Sequence, residues 1–181
     1  MIIEKDGKKF KSKGEMIMYE WYIQKYLTSS DLIIHQEAQL NHYGMPRALR
    51  ADFLICNKWD TPLAIIEVNG PQHYTDEKIK ERDEYKKHWC HENCIVYLYG
   101  DWNNGINIDF GRLDPYCEEW KNAEWFEHQL SIINTLGNIN TTIEQRKQER
   151  IKAQQEYIKH IKEALEFGYD PTNLGLKKGD I

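Results

Sequence analysis

Two acids in this chain stand where acids are costly. Asp52 sits in the run Arg50-Ala51-Asp52-Phe53-Leu54-Ile55-Cys56, and Glu67 in Leu63-Ala64-Ile65-Ile66-Glu67-Val68-Asn69, with a polar turn from Asn57 to Pro62 between them. Runs this rich in branched and aromatic side chains predict adjacent strands. A carboxylate inside such a strand costs several kcal/mol of desolvation unless a cation or donor compensates it, so two on neighbouring strands call for a shared partner. A hard divalent ion is that partner by chemistry, since Mg²⁺ or Mn²⁺ takes carboxylate oxygens and substrate phosphate oxygens. Two-residue alternation puts Ile65, Glu67 and Asn69 on one face. Gly70-Pro71 ends the strand, and His73 follows. Imidazole ordinarily titrates near neutral pH, which suits a general base or a phosphate contact; the alternative is a loop histidine bonded to backbone.

An acid on one strand, a turn, then acid-x-Asn on the next resembles the PD-(D/E)XK, or restriction-endonuclease-like, nuclease superfamily. The longer string Ile66-Glu67-Val68-Asn69-Gly70-Pro71-Gln72-His73-Tyr74, with Arg82-Asp83 and Lys86 downstream, is similar to the branch around the very-short-patch repair endonucleases. That branch includes phage-borne relatives and homing endonucleases built on a Glu, Asp, His, Asp set. The likeness spans roughly Ser12 to Gly100. It implies Mg²⁺- or Mn²⁺-dependent cleavage of DNA, with Asp52, Glu67 and the Val68 carbonyl as metal ligands and Glu15 joining directly or through water. It also gives Asp83 a part in the site, holding His73 or a water; by residue chemistry alone Asp83 is a helix acid beside Lys86 and Lys87. Asn69 stands where the superfamily carries Lys, so it can orient water but not carry a proton. That substitution leaves a second expectation open, a nuclease-fold DNA-binding or regulatory protein without catalysis.

The formal charge of −5 over 181 residues runs against a nucleic-acid role, which normally shows a basic excess. Locally the balance differs: residues 4 to 13 hold five lysines against two acids. Lys11, Lys13, Arg47, Arg50 and Gln72 are the expected phosphate or base contacts. No apolar run reaches the roughly 18 residues of a membrane span, no signal-peptide core opens the chain, and four irregularly spaced cysteines do not make a disulfide framework. The expectation is a cytoplasmic protein whose partner is DNA, not a membrane. His88, Cys90 and Cys94, with Cys117, suggest zinc, but their spacing does not reproduce that of the zinc-bearing very-short-patch enzymes, and buried thiols are the preferred reading.

The elements that must hold these residues follow in order. A short hairpin turns at Asp6-Gly7. Ser12 and Glu15 form a capping box opening a helix to about Leu27, which also serves to place Glu15. Leu32 to Leu40 reads as a strand, where Glu37 is either a solvated edge residue or a further acid near the metal. Helix from Asp76 to about Asn93, strand from Ile95 to Tyr99, helix from Asp114 to Leu136 and helix from Thr142 to about Phe167 complete the chain. The fold class expected is α/β (α+β), a restriction-endonuclease-like core with a mixed four- to five-stranded sheet over residues 1–110. Residues 111–181 are expected to form a C-terminal helical extension, packed on the core or on a partner as a homodimer contact.

Overall fold

The computed structural model describes residues 2–102, 108 and 123–166. It is a mixed α+β architecture in which every strand of the main sheet follows from local sequence. Strands β1 (Ile3–Lys5) and β2 (Lys8–Phe10) pair antiparallel in a separate two-stranded sheet. Asp6 and Gly7 both take positive φ, 50° and 75°, the geometry that a two-residue hairpin requires. Helix α1 (Lys13–Met18) opens on Ser12, whose hydroxyl accepts the Glu15 N–H at 3.0 Å. It continues through a π-helical turn, Tyr19–Ile23, into α2 (Gln24–Tyr26).

The main sheet has the order β3 (Leu32–Gln39), β4 (Arg50–Asn57), β5 (Pro62–Asn69), β6 (Val96–Asp101). The first three strands are antiparallel, and β6 runs parallel to β5 after a crossover through α3 (Gln72–Thr75) and α4 (Glu77–Glu92). Helix, three antiparallel strands, helix and strand is the order anticipated from the sequence; the short α3 was not anticipated. Asp76 caps α4 by accepting the Lys78 and Ile79 N–H groups.

Consecutive residues of β4 and β5 are buried, because helices cover both faces of the sheet. One apolar cluster joins Phe53, Ile55 and Ile66 to Ile17 and Met18 of α1 and to Phe126, Leu130 and Ile133 of α5 (Ala123–Leu136). The other joins Leu54, Cys56 and Ile65 to Trp89 and Cys90 of α4. Phe126, Leu130 and Ile133 repeat at helical spacing and form the buried stripe of α5.

The chain divides into two compact units, Met1–Ile143 and Glu144–Ile181. Helix α5 belongs to the first, so the core runs past the 110/111 boundary drawn from sequence, because the apolar stripe of α5 is part of the core. The expected helix start at Asp114, like Cys117 and the expected helix end near Phe167, lies outside the described residues. The described residues of the second unit lie in the long helix α6 (Ile143–Glu166), on which Ile151, Tyr157 and Ile158 are exposed. Among the described residues no helix is long and apolar enough to cross a membrane.

Gly14 shows how tightly α1 is drawn against the end of β6. A Cβ there would lie 2.7 to 2.9 Å from three atoms of Trp102, including its Cβ, so a ring rotation alone does not relieve the clash. Gly14→Ala therefore sets a helix-propensity gain of about 1 kcal/mol against an overpacking cost of about 1–3 kcal/mol. We expect net destabilisation, read as a lower urea midpoint at unchanged m-value; a stabilised variant would show that the close approach does not hold.

Candidate active site

Strand register assembles the site. On either side of Glu37 and Asp52, Gln36 pairs with Phe53 and Ala38 with Ala51, which sets Glu37 directly across from Asp52. Phe53 pairs with Ile66, and the next position along brings Asp52 opposite Glu67. Three acids from three strands thus form one row, an arrangement that like-charge repulsion makes unfavourable. The sheet is distorted at this row. Glu37 has φ of +54°, a rare conformation for a side chain of its kind, and Ala51 and Leu54 join the same apolar cluster despite odd spacing, so alternation slips at Asp52. Asp52 Oδ2 accepts the Val68 N–H at 2.8 Å.

Glu15 arrives from the first turn of α1. Its Oε2 accepts the Lys11 N–H at 2.9 Å, one residue before the capping-box donor expected from sequence. Carboxylate oxygens of Glu15, Glu37 and Asp52 all lie within 4.8 Å of one another. Burial raises both the Glu15 and Asp52 carboxyls above their ordinary range, against the hydrogen bonds each accepts from backbone. Lys11 forms an ion pair with Glu37, and Arg50 stands 3.9 Å from the same carboxylate.

A second chain of charges adjoins the first. Glu67 is 3 % exposed, and Lys86 Nζ of α4 lies 2.8 Å from its Oε1, close enough for an ion pair but off hydrogen-bond alignment. Lys86 is also 3.4 Å from Asp83 Oδ1, and Asp83 Oδ2 meets His73 Nδ1 at 2.6 Å. Burial pushes the Glu67 carboxyl up to about 8, more than Lys86 draws it down. Burial acts the same way on Asp83, but there His73 and Lys86 prevail and hold it below its ordinary value. Lys86 loses basicity through burial and regains more from Glu67, Asp83 and Asp52, so it stays charged.

Asp52, Glu67 and His73 line two adjoining recesses of about 280 and 360 Å³. Glu15, Gln72 and Trp102 are among the other residues that line the first, and Arg50, Asp83 and Lys86 among those that line the second. Asn69 lines neither. Its amide donates toward Tyr74 Oη at 3.4 Å, while Tyr74 donates to the buried Asp101. At the end of β5 Asn69 pairs with Asp101 of β6. Arg47 is held by Glu81 at 3.1 Å and by the Tyr85 ring at 4.3 Å; Lys13 and Gln72 are exposed. His88, Cys90 and Cys94 do not converge as a ligand group among the described residues. Sequence reasoning passed over Lys86 and Trp102 as site residues. A signal for Lys86 existed in its spacing from Asp83 and Trp89, three residues each way on one helix face.

Residues 30–100 match a family model described as a protein of unknown function (DUF2726). No curated protein and no solved structure matched the chain.

Glu67 carries a stability prediction. Without metal, the folded state retains a proton on Glu67 that the unfolded chain releases near its ordinary value of 4.5, so stability falls as pH rises from there through about 8. Glu67→Gln removes that dependence. The metal-free variant is expected to be more stable than wild type at alkaline pH by about 1–3 kcal/mol, or ~2–4 °C in Tm per kcal/mol. Parallel stability curves for the two proteins across this range would contradict the assignment.

Proposed function

We propose that this chain is a metal-dependent endonuclease that hydrolyses DNA phosphodiester bonds, of the phage or mobile-element kind its sequence resembles. The observation that carries the reading is the convergence of Glu15, Glu37 and Asp52 within 4.8 Å beside Glu67, a buried carboxylate with an oxygen off hydrogen-bond alignment. An all-oxygen set of this kind fits Mg²⁺ or Mn²⁺. Asp52 and Glu67 would hold the ion, with Glu15, Glu37 and the Val68 carbonyl as further oxygen donors. Such an ion, when bound, polarises a phosphate oxygen and lowers the pKa of attacking water.

The chain's own groups do the rest. Asp83 fixes the His73 ring through Nδ1, leaving Nε2 to take a proton from water in the recess that His73 lines. Lys86 brings to the site the positive charge that Asn69 lacks, and its place beside Glu67 and Asp83 suits it to offset charge building on the phosphate. Lys11 and Arg50, paired with Glu37 here, become available to phosphate once the acids are neutralised by a cation.

A second reading, a nuclease-fold binding or regulatory protein, is favoured by one observation: Lys11, Arg50 and Lys86 already balance Glu37 and Glu67 internally. Metal binding separates the two. In the nuclease reading, Mn²⁺ titrated by calorimetry binds with proton release, and its affinity climbs with pH through about 8 and levels off above it, once Glu67 has lost its proton. Supercoiled plasmid incubated with Mg²⁺ or Mn²⁺ is expected to be nicked or linearised. Asp52→Ala and Glu67→Ala should abolish cleavage, and His73→Ala and Lys86→Ala should slow it by about 10²–10⁴ and 10²–10³ respectively. Cleavage that survives loss of Asp52 or Glu67, or the absence of any metal-binding heat, defeats the proposal.

A further inference from the structure

A second convergence of ligating side chains lies at the other end of β4 and has different chemistry. Ile33 pairs with Cys56 and His35 with Leu54, so His35 and Cys56 lie on adjacent strands, two residues apart in register on one face. Asp60 reaches them from the β4–β5 turn. Ligating atoms of His35, Cys56 and Asp60 all lie within 4.8 Å of one another. His35 Nε2 is 2.7 Å from Asp60 Oδ1, and the Tyr43 hydroxyl lies 3.5 and 3.4 Å from the two Asp60 oxygens.

We infer that His35, Cys56 and Asp60, with the Tyr43 hydroxyl or a water as fourth donor, form a binding site for one zinc-class divalent ion. Donor type decides the class: one thiolate and one imidazole with a single carboxylate select zinc and its neighbours, whereas Mg²⁺ asks for oxygen throughout. Zinc bonds of about 2.0–2.3 Å place tetrahedral donors roughly 3.3–3.7 Å apart, so the present spread of up to 4.8 Å closes by about 1 Å of side-chain movement. Such movement is available, because Asp60 is exposed and His35 half-buried, while Cys56 is a fixed wall at 0 % exposure.

The turn that presents Asp60 is built, not loose. Buried Asn57 accepts the Trp59 and Thr61 N–H groups on its Oδ1, at 3.1 and 2.9 Å, and its backbone carbonyl accepts the Asp60 N–H at 2.9 Å. Asp60 holds φ of +60°, a conformation that aspartate tolerates better than most residues. The Tyr43 hydroxyl, partly buried, donates to both Asp60 oxygens in the metal-free protein. The site shares no residue with the acidic cluster, and Cys56 lies four residues along β4 from Asp52, about 14 Å away.

The test uses full-length protein stripped of metal and titrated with Co²⁺, then with Zn²⁺ against a chromophoric chelator. A sulfur-to-cobalt charge-transfer band with the visible intensity of a four-coordinate site should saturate at one equivalent, apart from any Co²⁺ that the carboxylate cluster takes up without such a band, and Zn²⁺ should abolish it. Cys56→Ala should lose the band, and the exposed-site variant Asp60→Ala, which disturbs no core packing, should weaken affinity at least about tenfold. The band should persist in Asp52→Ala and in the Cys90→Ala/Cys94→Ala double variant. No stoichiometric Zn²⁺ binding, a band that survives Cys56→Ala, or one that vanishes with Cys90 and Cys94 would each overturn the inference. None of these outcomes depends on nuclease activity.

Discussion

Repulsion among carboxylates drawn from three neighbouring strands is the constraint that the rest of this molecule answers. Register places Glu37, Asp52 and Glu67 in a single row across the sheet, and the burial of Glu67, with Glu37 and Asp52 partly covered, withholds much of the water that would otherwise screen them. Each acid is met by a different device. Asp52 takes a backbone N–H from the next strand, Glu37 takes Lys11 and Arg50 from outside the sheet, and Glu67 takes Lys86 from the helix above it or keeps a proton. The backbone is distorted at the same place, in the positive φ of Glu37, as expected where a fold holds an unfavourable arrangement in position.

Helices on both faces explain how that arrangement persists. The two apolar clusters pin β4 and β5 between α1 and α5 on one side and α4 on the other, so the acids cannot separate without opening the core. Gly14 lets α1 approach close enough to Trp102 for Glu15 to reach Asp52, and the α3–α4 crossover delivers His73, Asp83 and Lys86 from the opposite direction. The same sheet carries His35 and Cys56 at its far end, where the donors are softer and the charge lower. Two chemically distinct clusters on one β4 strand follow from its length, about four residues of rise between them.

What could be read without coordinates followed from local physics. An acid inside an apolar run declares itself by its cost, which is why Asp52 and Glu67 stood out; the capping pattern marked Glu15, and Gly-Pro after a strand marked the turn to His73. Strand and helix types, and their order through Tyr99, rest on apolar periodicity and turn residues of the same local kind. Asn69 was expected in the site by alternation; the structure has it paired with Asp101 of β6 and donating toward Tyr74, which itself bonds Asp101.

Sequence by itself therefore determined the strands, their acids and the helix cap, because each is set by neighbours within a few positions. Only the tertiary structure decided that Glu37 belongs to the acid row, that Lys86 alone among the lysines of α4 is buried, and that His35, Cys56 and Asp60 converge. Helix α4 is charged nearly all round, so nothing local distinguishes one of its lysines from another until the helix docks. Glu37, likewise, lies in a polar edge strand whose meaning depends on which residue it faces. Register and docking are sums over contacts far apart in the chain, and no short stretch of residues contains them.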